Sequence, residues 1–193
     1  METNYGVYHL ADNPAQYQPV RTNNYRCICQ GLEELVRVGG DANNRNDYLE
    51  NAQEVIDFSV VSFKAPSFSQ NRLEIKRGNS TIYFAGTPTF DPSSLVINDY
   101  VGADGKSILQ AWQALSYDVI NDVINPSTMY KKDMLVLEYT PDNVLIKVWE
   151  LKGCWITSLS ETDYNSESSN KKTVTANISY DRAIPRKPDE YFN

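Results

Sequence analysis

Apolar residues fall at Ile108, Trp112, Leu115, Val119 and Val123, steps of three or four that share one face of a 3.6-residue period. The spacing predicts a helix over residues 107–124, with Ser107 and Gln110 as a capping box and Pro126 as its stop. No other stretch keeps a helical period as long. A single amphipathic helix among strands has to bury its stripe on a sheet. The pattern therefore implies a mainly β fold, a β-sandwich or partial barrel with one flanking helix.

Residues 1–20 have no period and contain Asn13-Pro14 and Gln18-Pro19, so they read as an N-terminal arm. Residues 25–30 alternate, with Tyr25, Cys27 and Cys29 on one face of a first strand. In residues 31–54, Leu32, Leu35 and Val36 suggest a short helical turn before Gly39-Gly40 and a polar loop, an insertion between strands. Residues 56–64 read as a strand whose phase changes between Ile56, Phe58, Val60 and then Val61, Phe63, which predicts a bulge at Val60-Val61. Arg72, Glu74 and Lys76 alternate with Leu73 and Ile75 before Gly78-Asn79. This is a projecting hairpin with one very polar face. Further strands are expected at residues 89–98, 133–140, 144–158 (broken at Gly153) and 172–183, followed by an extension at 185–193. With neither repeat nor linker, residues 1–193 read as one domain.

Composition narrows the function more than the fold. The net charge of −7 argues against gripping nucleic acid by neutralising phosphates, though not against letting it slide past. Three cysteines cannot all pair, the start has no secretory pattern, and no apolar run reaches the ~20 residues of a spanning helix. The expectation is a protein of the cytoplasm with reduced thiols and no membrane partner.

Catalytic chemistry has little to work with. His9, in the arm, is the only histidine, so a Ser-His or Cys-His nucleophile would have to recruit it. Asp104-Gly105-Lys106-Ser107 resembles the end of a phosphate-binding loop, but Tyr100 stands where that loop needs glycine. Asp41, Asn43 and Asp47 resemble the start of a calcium loop, yet Arg45, Asn46 and Ala52 fall at positions needing a ligand, a glycine and a glutamate. Cys27 and Cys29 alone make no zinc site. No catalytic residue, metal ligand or cofactor is predicted.

The order of short motifs carries more. Arg21-Thr22-Asn23-Asn24-Tyr25 opens the first strand, and Ala65-Pro66 precedes the polar hairpin. Ala85-Gly86-Thr87-Pro88-Thr89-Phe90 follows, then Ile97-Asn98-Asp99, a helix with Ala111-Trp112-Gln113, Tyr130-Lys131-Lys132 and Leu151-Lys152-Gly153-Cys154-Trp155. A last strand covers residues 173–180. Over about residues 21–184 this order resembles the tail tube proteins of contractile-tailed bacteriophages, relatives of the type VI secretion and R-type pyocin tube proteins. Residues 31–54 and the two extensions depart from the pattern.

The resemblance implies hexameric rings whose inner strands merge into one barrel around a channel, stacked inside a sheath. It implies a structural, non-enzymatic virion protein assembled in the host cytoplasm. Its partners would be other copies of itself, the sheath, baseplate and tail-terminator proteins, and DNA passing through unbound. On this reading Asp57, Ser59 and Ser62 are expected to face the lumen. Arg72, Glu74, Lys76 and Arg77 are expected between rings, since basic groups along the wall would hold a polyanion. Ile108, Trp112, Leu115 and Val119 are the expected core of the helix. The alternatives are a secretion or extracellular injection tube, and a terminator or baseplate ring of the same fold. A carbohydrate- or receptor-binding sandwich using Tyr130, Trp149 and Trp155 belongs to a different class.

Overall fold

The computed structural model describes residues 19–32, 52–102, 104–167 and 169–191. The elements begin with β1 (Tyr25–Cys29), α1 (Ala52–Ser59), β2 (Val60–Phe63), β3 (Ser67–Arg77), β4 (Ser80–Asp91) and β5 (Ser93–Asn98). Next are α2 (Gly105–Ala114), β6 (Tyr117–Asp118), β7 (Val123–Ile124), α3 (Ser127–Tyr130) and β8 (Lys132–Tyr139). The chain continues through β9 (Leu145–Glu161), β10 (Thr173–Ser179), β11 (Arg182–Arg186) and α4 (Pro188–Tyr191). The fold is mainly β, as the alternating sequence predicts.

One seven-stranded antiparallel sheet runs β1-β8-β9-β10-β5-β2, with β11 also paired to β9. The 17-residue β9 is its spine. β8 lies along one edge, while β11 and then β10 lie along the other. The sequence predicts a break at Gly153, but the strand continues through it as a bulge. Asp133 faces both Lys152 and Gly153, Gly153 adopts φ +66°, and its N–H donates to Asp133 Oδ1 at 3.0 Å. A Cβ there would come within 2.2 Å of Asp181 Oδ2, so the close approach also requires glycine.

Alternation explains burial. Leu95 and Ile97 of β5, Val174, Ala176 and Ile178 of β10, and Met134 and Val136 of β8 enter one core with Ile108, Leu109 and Trp112 of α2. Leu135 and Leu137 point the other way on β8 and pack with Val148 in a second, smaller cluster.

Two helical expectations are revised. The helix predicted over 107–124 starts at Gly105 and ends at Ala114, capped by Asp104, whose Oδ1 accepts from the Ser107 N–H at 2.9 Å. Ile108, Trp112 and Leu115 are buried, whereas Val119 is 79% exposed and outside the helix. The apolar spacing persists past Leu115, but local hydrogen bonding breaks the helix. Asp118 Oδ1 accepts from the backbone N–H groups of Ile120 and Asn121, and β-branched residues dominate this stretch. Pro126 instead precedes α3.

Residues 56–59, expected as strand, are the second half of α1. Ala52, Val55, Ile56 and Ser59 are buried at helical spacing. The predicted bulge does occur: the β2–β5 register shifts between Val60 and Ser62. The turn expected at Leu35-Val36 and the loop with Asp41, Asn43 and Asp47 lie outside the described residues, as does His9.

Candidate assembly surfaces

The hairpin of β3 and β4 is longer than the sequence pattern suggests, with Gly78 at φ +64° in its turn. Every residue of β3 is exposed. Register pairs Leu73 with Phe84 and Ile75 with Ile82, and pairs Arg72 with Ala85, Glu74 with Tyr83, and Lys76 with Thr81. The hairpin therefore has an apolar face and a charged face. On the charged face Arg72 bonds Glu74 at 2.9 Å and lies 4.1 Å above the Tyr83 ring. Arg77 pairs with Ser80 beside the turn.

Tyr180 anchors the hairpin's base. Its hydroxyl donates to the Asp91 carbonyl at 2.7 Å and accepts from the Ser67 N–H at 3.3 Å. Phe68, Phe90 and Tyr180 continue this contact as tilted rings with centroids 5.8 and 6.0 Å apart.

A second surface lies where the sheet ends, at β1 and β2. Residues of both strands, including Tyr25, Arg26, Val60 and Ser62, line a cleft of about 560 Å³. Asp57 reaches it from α1, not from a strand face, and Arg26 bonds its Oδ2 at 2.5 Å. That bond raises the Arg26 pKa, against the opposing effect of burial. Gln53 braces the same helix on β1: its Oε1 accepts from the Cys29 N–H and its Nε2 donates to the Cys27 carbonyl, both at 2.9 Å. It also donates to Asp57 at 2.9 Å. Nothing short-range in the sequence marks this role for Gln53.

Of the three residues expected to face a lumen, Ser62 is exposed on β2 and Asp57 is engaged with Arg26. Ser59 is 1% exposed, so it cannot line a wall. The helical phase of α1 turns it inward.

Cys27, Cys29 and Cys154 are free and buried, and burial pushes the Cys27 and Cys154 thiols up to about 12. Such thiols are protonated at neutral pH and make poor nucleophiles or metal ligands. Among the described residues no cluster of three metal-ligating side chains occurs. Tyr130 packs edge-on against Trp155 at 6.1 Å, and Trp149 donates to Glu138 at 3.1 Å beneath Lys147. All three rings pack against neighbours and are half-buried.

Ion pairs hold the sheet's margins. Glu150 joins Lys152 at 2.6 Å and Arg186 at 3.3 Å, tying β11 to β9, and Lys152 also meets Asp133 at 2.8 Å. The Lys152 bond holds the Glu150 carboxyl below its usual range despite burial, and Arg186 adds to the effect. Burial acts to raise the Asp133 pKa, but bonds from Lys152 and the Gly153 N–H outweigh it and leave it lowered.

No protein-family model matches the sequence. No curated protein matches it either. Solved structures do match by shape. A chain of the PVC extracellular contractile injection system, from the sheath/tube terminator in its extended state, superposes with a TM-score of 0.60. The fold is one shared with chains of contractile injection system assemblies. That match is 16% identical and covers 88% of this chain and 97% of the other. A chain from the extended PVC sheath–tube complex gives 0.58 at 15% identity, covering 92% of this chain and 99% of the other. A chain of the anti-feeding prophage cap, which terminates its tube, gives 0.52 at 16% identity, covering 66% and 81%.

Proposed function

We propose that this chain is the tube protein of a contractile tail, assembling through copies of itself into stacked hexameric rings inside a sheath. The observation that carries the reading is the nearly end-to-end likeness to a chain of a sheath–tube complex, 92% of one and 99% of the other. The sheet's end at β2 supports assembly, because a strand edge invites pairing with another chain. The exposed hairpin adds to this, since an isolated two-stranded ribbon is marginal in water without something to pack on.

The motif order favours the tail of a bacteriophage, with DNA as cargo and the virion as the protein's place. A net charge of −7 suits a conduit that does not retain a polyanion. Sheath, baseplate and terminator proteins are the partners this role requires. Arg72, Glu74, Lys76 and Arg77 serve between rings, and Ser62 and Asp57 stand near the lumen side. Ring closure is tested by the mass of the purified protein in solution. Six-chain particles, or multiples of six, support the reading, and a concentration-independent monomer refutes it.

A second reading has its own support in the 0.60 match to a sheath/tube terminator chain. A terminator forms rings that stop; a tube protein polymerises. Electron micrographs of the purified protein separate the two.

A further inference from the structure

The β3–β4 hairpin is the far half of a longer ribbon. β2 leads into β3 over Lys64-Ala65-Pro66, and β4 leads into β5 over Pro92. Each half has its own ladder, β2 with β5 and β3 with β4. On the sheet side the bonding reaches the Lys64 N–H, which donates to the Ser94 carbonyl at 2.9 Å. On the hairpin side it resumes with Ser67 opposite Asp91. Pro66 and Pro92 fall between these two rungs, one on each strand, and a proline has no N–H to give to a ladder. The ribbon therefore has a joint at its waist. Beyond the joint every residue of β3 is exposed, and along β4 burial rises only at Gly86 and, beside the joint, at Phe90 and Asp91.

Tyr180 fastens the joint. It sits at the corner between β10 and β11, 6% exposed and part of the main core. The corner is itself held, because the Asp181 N–H donates to the Lys152 carbonyl at 2.9 Å and the Asp181 carboxylate accepts from Lys131 at 2.8 Å. From this fixed point the Tyr180 hydroxyl reaches both strands at the hairpin's first rung. It donates to the Asp91 carbonyl at 2.7 Å and accepts from the Ser67 N–H at 3.3 Å. A second side-chain bond at the joint, from Lys64 Nζ to the Pro92 carbonyl at 3.1 Å, is exposed and carried on a flexible four-carbon stem.

We propose that the Tyr180 hydroxyl is the latch that sets the hairpin's direction against the sheet, and so is a positioning residue for assembly. The inference rests on the self-assembly proposed above and deepens it by naming the residue that readies the chain for it. With the latch made, the hairpin is held in one orientation before any second copy arrives, and less ordering is left to association. Without it the ribbon keeps its own ladder but swings on the joint, as hinges do at a few residues between packed elements.

The test is Tyr180→Phe in the full chain, which removes the hydroxyl and keeps the ring beside Phe90. Spin labels on Asn79→Cys in the hairpin turn and Asp142→Cys in the β8–β9 turn read the hairpin's direction as a distance, with Cys27, Cys29 and Cys154 buried away from the reagent. At concentrations too low for assembly, Tyr180→Phe should turn a single narrow distance into a broad spread while far-ultraviolet circular dichroism stays that of the parent. In unlabelled chains the lowest concentration that supports assembly, read by sedimentation, should rise about five- to tenfold. Tyr180→Phe with the parent's distance distribution overturns the latch, and a broadened distribution with an unchanged assembly threshold overturns its part in assembly; both leave the tube reading standing. A parent chain that stays monomeric at every concentration overturns the tube reading, while the distances still decide the latch.

Discussion

Gln53 and Cys29 are bound as if they belonged to neighbouring strands. The Gln53 side-chain amide accepts from the Cys29 N–H and donates to the Cys27 carbonyl, so it takes a strand's place on the outer edge of β1. This fixes α1 to the sheet and satisfies two backbone groups at once. Gln53→Ala should therefore cost about 1–3 kcal/mol, the usual penalty for leaving such groups unpaired. Urea unfolding would report it as a lower midpoint at unchanged slope.

The indole of Trp112 is 2% exposed, and its Nε1 donates to the Tyr130 carbonyl at 2.8 Å. Trp112→Ala should destabilise by about 3–5 kcal/mol through the cavity it leaves. Val119→Ser, at a position the apolar spacing alone would call core, should shift the stability of the unassembled chain by no more than about 0.5 kcal/mol. Thermal unfolding of the two variants side by side distinguishes a helix ending at Ala114 from one continuing to residue 124.

Gly153 carries two separable requirements, a positive φ and room beside Asp181. Gly153→Ala should destabilise by more than the ~1–2 kcal/mol of left-handed strain alone. In an Asp181→Ala background the same substitution should cost only that strain, because the blocking carboxylate is gone. Chemical denaturation of the four chains gives the coupling directly.

Acid should loosen β11 from β9. Glu150 and Asp133 have carboxyls held below their usual range, so their contribution is present above the ordinary carboxylate pKa of about 4 and lost as pH falls through the lowered values. Stability measured from pH 7 down to pH 3 should fall in that window. Glu150→Gln should flatten the fall, and the protection of the β11 amides, relative to their intrinsic exchange rate at each pH, should drop in acid for the wild type.

Much of this was legible in the residues and the rest was not, for definable reasons. Gly78-Asn79 and the alternation around Leu73 and Ile75 predict the hairpin, and Ile108, Trp112 and Leu115 predict the buried face of α2. The spacing continues through Val119 and Val123, but the helix ends at Ala114, and beyond it the Asp118 carboxylate captures two backbone N–H groups in a turn. Ile56, Phe58 and Val60 alternate as a strand would, while Ala52, Val55, Ile56 and Ser59 recur as a helix would. Over so short a run the two periods compete, and packing of α1 decides. Gln53 and Cys29 lie 24 residues apart, so their bond has no local signature.

Negative-stain electron microscopy of the purified tube protein should show hollow rods of uniform width with an axial channel, lengthening with protein concentration. Isolated rings would move the assignment to a terminator, and monodisperse monomers at every concentration would contradict it.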